Sequence, residues 1–167
     1  DMDLYITSGG SEYLQGSKLL KDRLYINDGL GNFTKKSTAL PNIYQSSQTV
    51  KTSDIDGDGD LDLFVGGRQV PGKYGMIPKS YLLKNEGGKF KDFTNDLAEG
   101  LQAIGMVTTS LWMDYDGDQD EDLILAGEWM QLTCFENNDG KLTNNSKKVG
   151  FENTEGWWNK LVSVDLD

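Results

Sequence analysis

The sequence predicts an all-β protein built from repeated units, and two features of the chain support this prediction. Two nine-residue acidic segments start at Asp54 and Asp114, a spacing of 60 residues, and self-similarity at a fixed period is typical of repeat proteins. Each segment leads into a short apolar run, at residues 63–65 and 123–125, and runs of this length favour a strand over a helix. Helical patterns are weak, and we expect at most one helical turn, over residues 98–104.

Strand patterns also recur between the acidic segments. The order strand, Asn/Gly turn, strand is typical of a β-hairpin, and it occurs three times, at residues 23–33, 81–90 and 133–142. A further β-rich run precedes each acidic position, and these runs lie at residues 49–52, 108–112 and 160–163. Together with the strand that follows each acidic segment, the pattern predicts four short strands in every repeat.

Four-stranded antiparallel units that repeat at this period are typical of β-propeller blades. A linear β-solenoid is less favoured, because its repeats are much shorter. The predicted repeat units cover approximately residues 1–53, 54–113 and 114–167, which makes about three blades, whereas propellers typically contain about four to eight. We therefore expect a fragment of a larger propeller, or open edges covered by another copy of the chain, since exposed strand edges favour aggregation.

The negative charge of the chain is concentrated in the two acidic segments. The 167 residues include 27 Asp and Glu but 16 Lys and Arg, for a net charge of −11. Residues 54–62 contain five acids and residues 114–122 contain six, and without them the remaining acids equal the bases in number. Carboxylates packed this closely repel one another, so a folded chain must neutralise them or expose them to water.

Composition excludes several classes of function. The chain has no histidine, which excludes Ser-His-Asp and Cys-His nucleophiles and histidine-ligated zinc. Its single cysteine, Cys134, cannot form an internal disulfide, and we expect it to be a small buried hydrophobic residue. The acidic charge argues against binding of nucleic acid. No apolar run approaches the about 20 residues needed to span a bilayer, and we expect no signal peptide at the start.

The spacing of the acids predicts two calcium sites. Acids at positions 1, 3, 5 and 9 of a tight turn can direct side-chain oxygens at one centre, with the backbone carbonyl of position 7, and calcium prefers about six to eight oxygen ligands. The predicted side-chain ligands of the first site are Asp54, Asp56, Asp58 and Asp62, with the carbonyl of Asp60. Those of the second site are Asp114, Asp116, Asp118 and Asp122, with the carbonyl of Asp120.

A plain acidic loop and an EF-hand are the two alternatives to these calcium loops. A plain acidic loop is less favoured at the first site, where Gly57 and Gly59 suit a turn with positive φ, than at the second, where Gln119 replaces a glycine. An EF-hand would place a bidentate Glu at position 12 before a helix. That position is Val65 or Leu125 in this chain, inside an apolar strand-like run, so the EF-hand is rejected.

Both ends of the chain align with parts of an acidic segment. Asp1 and Asp3 align with Asp60 and Asp62, and the last residues align with the start of the segment at Asp114. We expect these ends to be half-sites that bind no metal unless another chain completes them. Their acidic residues are Asp1, Asp3, Asp165 and Asp167.

The pattern DxDxDGxxD followed by a strand ending in Gly resembles the FG-GAP/VCBS repeats of integrin-α-like propellers. The first segment matches in full through Asp54, Asp56, Asp58, Gly59 and Asp62, and the second departs at Gln119. The Gly-Ala-Pro element of the repeat is poorly kept, because residues 65–68 read Val-Gly-Gly-Arg. The resemblance covers essentially the whole chain, and it implies a calcium-stabilised propeller that binds proteins or cell surfaces.

Three further segments are similar to VCBS-repeat proteins of Bacteroidetes bacteria, many of which carry a C-terminal ASPIC/UnbV domain. These segments are residues 65–72, 127–130 and 156–159. No ASPIC/UnbV segment is found in the chain, as expected of a fragment. This resemblance implies a bacterial protein that is secreted, periplasmic or on the cell surface, in a group whose members mostly lack a defined activity.

Three functions compete on the sequence alone. A calcium-stabilised scaffold for protein or cell-surface adhesion is favoured by the repeats. Carbohydrate binding is the alternative, through Trp157 and Trp158 in a loop-like region, whereas Trp112 is expected in the core. A polysaccharide-active enzyme is least favoured, because no carboxylates converge outside the calcium loops, and we expect no catalytic activity. Arg68 and Glu128 follow equivalent strands and could form an inter-blade salt bridge or contact a substrate.

Overall fold

A computed structural model describes residues 1–166, in which strands form three antiparallel sheets. The first sheet contains β1 (Leu4–Ile6), β2 (Arg23–Asn27) and β3 (Phe33–Lys35). The second contains β4 (Ser46–Ser53), β5 (Asp62–Gln69), β6 (Tyr81–Asn85) and β7 (Phe90–Asp92). The third contains β8 (Met106–Met113), β9 (Asp122–Met130), β10 (Thr133–Asn138), β11 (Lys141–Asn144) and β12 (Gly156–Trp157). The prediction of an all-β fold of propeller-like blades is confirmed.

Helical structure is confined to short turns between strands. The α-helix α1 (Thr94–Leu97) is four residues long, and 3₁₀ turns occupy Lys18–Leu20 and Leu101–Ala103. The turn expected over residues 98–104 is found at Leu101–Ala103, whereas α1 and the turn at Lys18–Leu20 exceed the one helical turn that was predicted. Within residues 1–166, no helix combines the length and apolar character that crossing a membrane requires.

The second sheet is the complete four-stranded unit that the sequence predicts. Its strands follow the order β4-β5-β6-β7, each antiparallel to the next. The third sheet repeats this order with β8 to β11, and the first sheet contains the equivalents of the last three strands. The pairing register shows which strands correspond, because Leu4 of β1 pairs with Tyr25 of β2 in the way that Leu63 of β5 pairs with Leu83 of β6. Short turns and the preference of consecutive strands to pair account for this order.

The structure corrects the predicted strand over residues 160–163, which do not form a strand. This segment lies beside β8 and is held through threonine side chains instead of a backbone ladder. The amide of Leu161 donates to Thr109 Oγ1 at 3.3 Å, and Thr108 Oγ1 donates to the carbonyl of Trp158 at 2.6 Å. Because the amide of Leu161 bonds to a side chain of β8 and not to its backbone, no backbone ladder forms here.

The core lies between the sheets, and alternation along β5 determines which side chains enter it. Successive residues of a strand face opposite sides, so Leu63 and Val65 pack toward the first sheet while Phe64 packs toward the third. Phe64 is fully buried, and Trp112 is 8% exposed within the same cluster. The prediction that Trp112 is a core residue is therefore confirmed.

The outer face of the first sheet is apolar and open. Leu4 and Ile6 occupy the positions that correspond to Leu63 and Val65, which are buried in the second sheet. In the first sheet these two side chains are 44% and 38% exposed. The same pattern that buries one blade against its neighbour therefore leaves this face without a covering sheet among the described residues.

We expect Phe64→Ala to lower the free energy of unfolding by about 3–5 kcal/mol, because it opens a cavity at a fully buried position between two sheets. The matched control is Phe33→Ala, since Phe33 is 49% exposed, and it should cost less than about 1 kcal/mol. Urea unfolding followed by circular dichroism measures both values. Equal losses for the two variants would contradict the assignment of the core to the space between the sheets.

Candidate metal sites

The first acidic loop joins β4 to β5 and brings three carboxylates together. One oxygen each of Asp54, Asp56 and Asp58 lies within 4.8 Å of the others, and all three residues are exposed. The turn is held from within, because Asp54 accepts hydrogen bonds from the amides of Asp58 and Gly59 at 3.1 and 3.0 Å. Gly59 has φ of 89°, as the glycine at this position predicts. Three negative charges with so little separation form a site suited to a cation.

The second acidic loop joins β8 to β9 and has the same turn with a different trio of carboxylates. Oxygens of Asp114, Asp116 and Asp122 lie within 4.8 Å of one another, and Asp114 accepts from the amide of Gln119 at 3.1 Å. Gln119 has φ of 82°, a left-handed conformation that costs a non-glycine residue about 1–2 kcal/mol. The backbone strain expected where Gln119 replaces a glycine is therefore present, and the turn still forms.

The aspartate at the ninth position of each loop is buried and connects the loop to the next hairpin. Asp62 accepts from the amide of Asn85 at 2.7 Å and from that of Ile55 at 3.3 Å. Asp122 accepts in the same way from Asn137 at 2.8 Å and Tyr115 at 3.1 Å. Burial raises the pKa of both carboxyls, and these backbone hydrogen bonds oppose that rise. We call each such aspartate, with the asparagine whose amide it accepts, an Asp–Asn clamp.

The asparagine of each clamp also closes its own turn, a role that the sequence analysis missed. The side-chain oxygens of Asn85 and Asn137 accept from the amides of Gly88 and Gly140 at 2.8 and 3.0 Å. Asn137 in addition donates to the carbonyl of Ile55 at 3.0 Å, which links the third sheet to the second. The signal was available, because an asparagine recurs at the same place in each of the three aligned hairpins.

The remaining predicted ligands lie around these trios. Asp58 and Asp118 each accept from the amide two residues on, of Asp60 and Asp120 respectively, at 2.9 Å. Asp62 is not part of the first trio, and Asp118 is not part of the second. The side chain of Asp120 accepts from the amide of Asp139 at 3.1 Å. The carbonyl roles predicted for Asp60 and Asp120 stay predictions.

The predicted half-sites at the chain ends have different surroundings. Asp3 forms a third clamp, because its side chain accepts from the amide of Asn27 at 2.9 Å. Asp1 and Asp165 are exposed, and Asp167 lies outside the described residues. A metal-binding role for these four residues stays a prediction.

Lys84 lies in the first site and was not anticipated from the sequence. Its ammonium forms an ion pair with Asp56 and lies 3.4 Å from Asp58 Oδ2. The hydrogen bond to Asp56 raises the pKa of Lys84. Asp58 has a lowered pKa, first because of the hydrogen bond from the amide of Asp60. The first loop thus has a cation of its own from β6.

The equivalent position in the third sheet has the opposite charge. Glu136 of β10 accepts from the hydroxyl of Tyr115 at 2.6 Å, from Lys148 at 2.9 Å and from Asn145. These hydrogen bonds lower the pKa of Glu136 to about 2, with that from Tyr115 contributing most. The two acidic loops therefore have similar turns but different charges beside them.

The tryptophans proposed as ligand-binding residues are on the surface. Trp157 is 54% exposed and Trp158 is 38% exposed. The indole of Trp158 donates to the carbonyl of Thr154 at 3.1 Å, whereas Trp157 forms an edge contact with Trp129. Arg68 and Glu128 form a salt bridge between the second and third sheets, one of the two roles foreseen for them. Cys134 is buried as expected.

We expect the stabilisation contributed by Glu136 to depend on acid pH. Because the folded-state pKa is below the unfolded value of about 4.3, this contribution is fully present above about pH 4.3 and is lost as the pH falls toward about 2. Glu136→Gln should therefore destabilise the protein more at pH 6 than at pH 3 in urea unfolding. The control Glu152→Gln replaces an exposed acid and should change stability by less than about 0.5 kcal/mol. A loss for Glu136→Gln that is equal at both pH values would contradict this account.

One family model matches part of the chain, and it carries the description FG-GAP-like repeat. The match covers residues 1–65, from β1 through the first acidic loop into β5. No curated protein matches the chain. FG-GAP repeats are typical of extracellular proteins and generally form non-catalytic scaffolds. This match indicates an FG-GAP-like repeat within residues 1–65, and the all-β sheets are consistent with it.

Proposed function

We propose that this chain is a calcium-stabilised β-propeller scaffold of an extracytoplasmic protein, and that it mediates binding to proteins or cell surfaces. The observation that carries the proposal is the pair of acidic loops at the same corner of consecutive blades. Each loop gathers three carboxylates whose oxygens lie within 4.8 Å of one another. Two clusters of three carboxylates at equivalent places in consecutive repeats are better explained by an ion bound in each loop than by chance.

The donor set fits calcium better than other common metals. Every predicted ligand is a carboxylate or carbonyl oxygen, and the chain has no histidine and one buried cysteine. Hard oxygen donors suit calcium and magnesium, whereas zinc and copper favour nitrogen and sulfur. A short, flexible turn with many oxygens favours calcium, because magnesium demands strict octahedral geometry and keeps its waters. The trios described above, with the carbonyls of Asp60 and Asp120, would hold the ion.

The calcium would be structural and would suit a calcium-rich compartment. Each loop joins two strands of one blade, and a divalent cation there would cancel repulsion among the carboxylates. Extracellular calcium modules bind with dissociation constants of about 10⁻⁴–10⁻³ M, which fits a secreted, periplasmic or surface protein. A bacterial source and kinship with Bacteroidetes VCBS-repeat proteins are part of this proposal and are supported by the segments at residues 65–72, 127–130 and 156–159.

The open apolar faces support association with further blades. Within the chain, the Leu63 side of the second sheet packs against Tyr5 of the first. The exposed side of the first sheet, with Leu4 and Ile6, is of the same kind as the Leu63 side. A further blade could therefore cover the Leu4 and Ile6 side of the first sheet, in the way that the Tyr5 side of the first sheet covers the Leu63 side of the second. We propose that other blades of a parent chain, or a second copy, cover this face.

Calcium should raise the melting temperature well above the value measured in magnesium or in chelator. At a concentration 100 times the dissociation constant, binding to one site stabilises the folded state by about 2.7 kcal/mol. For a chain of this size that is a rise of about 5–10 °C, which tryptophan fluorescence can follow. Equal melting temperatures in calcium, magnesium and chelator would refute the calcium sites.

Two substitutions link this shift to the loops. Asp58→Ala and Asp116→Ala should each weaken calcium binding and reduce the calcium-dependent shift, because both carboxylates belong to the trios. Asp96→Ala is the matched control, because Asp96 is an exposed acid outside both loops. A shift that is unchanged in both loop variants would contradict the ligand assignment.

Lys84→Gln should strengthen calcium binding by the first loop. The ammonium of Lys84 pairs with Asp56 and lies near Asp58, so an incoming cation must displace it against like-charge repulsion. Calorimetric titration should show tighter binding at one of two sites. The control Lys91→Gln removes a lysine that pairs with Glu86 on the exposed surface. Weaker calcium binding by Lys84→Gln would show that the lysine supports the site instead of competing for it.

A further inference from the structure

An exposed group of aromatic rings lies at the end of the second and third sheets opposite the acidic loops. We define the aromatic cluster as Tyr74, Trp129 and Trp157. The ring centroids of Tyr74 and Trp129 are 5.2 Å apart, and those of Trp129 and Trp157 are 6.2 Å apart, both edge to face. The three side chains are 56%, 59% and 54% exposed. Rings in mutual contact that stay this exposed form a surface instead of a core.

The backbone at Trp129 is strained. Its φ is 54°, in the left-handed region that glycine adopts easily and a bulky residue does not. Burial does not compensate for this strain, because more than half of the side chain is in contact with solvent. Strained residues of this kind cluster at sites of function. The conformation places the indole beside Tyr74, where the absence of a side chain at Gly75 leaves room for the ring.

A buried ion pair fixes the base of the aromatic cluster. Glu128 is 4% exposed, and its two oxygens accept from Arg68 and from the Tyr74 hydroxyl, the latter at 2.9 Å. Tyr74 is therefore oriented by β9, although it belongs to the long connection after β5. Arg68 Nη1 is buried and has no hydrogen-bond partner among the described residues, so Arg68 acts here by pairing with Glu128.

The connection that carries Tyr74 is basic in a chain that is acidic overall, whereas Glu128 beside Trp129 is paired with Arg68 and Glu155 precedes Trp157. Residues 68–80 contain Arg68, Lys73 and Lys79 and no acid, in a chain of net charge −11. Lys73 and Lys79 are exposed. An anionic ligand would be repelled by most of this protein and attracted to this surface. The local charge therefore favours an acidic ligand at the cluster.

We infer that the aromatic cluster binds acidic carbohydrate, with uronic acid rings stacked on Trp129 and on Trp157. A pyranose ring presents C–H groups on one face, which pack on an indole, while its hydroxyls accept from indole N–H donors. The carboxylate would interact with the exposed ammonium of Lys73. This inference does not rest on calcium binding, because the acidic loops lie at the other ends of β5 and β9.

The experiment titrates the intact chain, at a fixed calcium concentration, with oligogalacturonate and oligomannuronate and follows tryptophan fluorescence. Cellohexaose serves as the neutral probe. We expect saturable quenching by at least one acidic oligosaccharide and binding of cellohexaose at least tenfold weaker. The inference is overturned if neither acidic probe gives a saturable change, or if cellohexaose binds as tightly as they do.

Variants separate a binding role from a structural one. Trp129→Gly should weaken binding at least tenfold without lowering the melting temperature, because glycine relieves the strained backbone. Trp157→Ala and Lys73→Glu should weaken binding while the fold is kept, since both side chains are exposed. The control Phe33→Ala removes an exposed aromatic ring of the first sheet and should bind as the unmodified chain does. Undiminished binding by Trp129→Gly or by Trp157→Ala would overturn the inference.

Discussion

The structure depends on the Asp–Asn clamps, in which a buried carboxylate accepts backbone hydrogen bonds from its own loop and from the next hairpin. Asp62 and Asp122 are 1% and 0% exposed, so each would be costly to bury without partners. The two amides that donate to each carboxylate offset that cost and fix the corner of the blade. Other acids of the loops, such as Asp56, Asp58 and Asp116, are exposed to solvent. Their close approach, and hence the candidate cation site, also depends on the hydrogen bonds that Asp54 and Asp114 accept within each turn.

The same strands separate the two surfaces of the protein. The nine residues of β9 run from a clamp at Asp122 to the aromatic surface beyond Glu128, a distance of about 26 Å at about 3.3 Å per residue. Phe64 and Leu125 fill the space between the second and third sheets in the middle of this span. A cation at one end would therefore stabilise the blades that present the rings at the other end, without contacting a ligand there.

Much of this arrangement could be predicted, because it follows from short-range pattern. Aspartates at alternate positions, strand-like alternation and hairpin turns gave the order of the blades and the place of both acidic loops. The rest depends on contacts between distant residues, such as the entry of Lys84 into the first loop and the bond from Asn137 to Ile55. The sequence pattern also wrongly predicted a strand at residues 160–163, where the segment contacts side chains of β8 and forms no backbone ladder. No sequence rule assigns a left-handed backbone to Trp129, so its contact with Tyr74 could not be predicted from the sequence.

The most direct test of the central claim is a crystal structure of the chain grown in calcium, with anomalous scattering used to identify the ion. The account predicts one calcium in each acidic loop, about 2.3–2.6 Å from its oxygen ligands. These ligands would include Asp54, Asp56 and Asp58 in the first loop and Asp114 and Asp116 in the second. The clamps at Asp62 and Asp122 should be retained. A well-ordered crystal with both acidic loops free of metal at millimolar calcium would contradict the claim that calcium stabilises the blades.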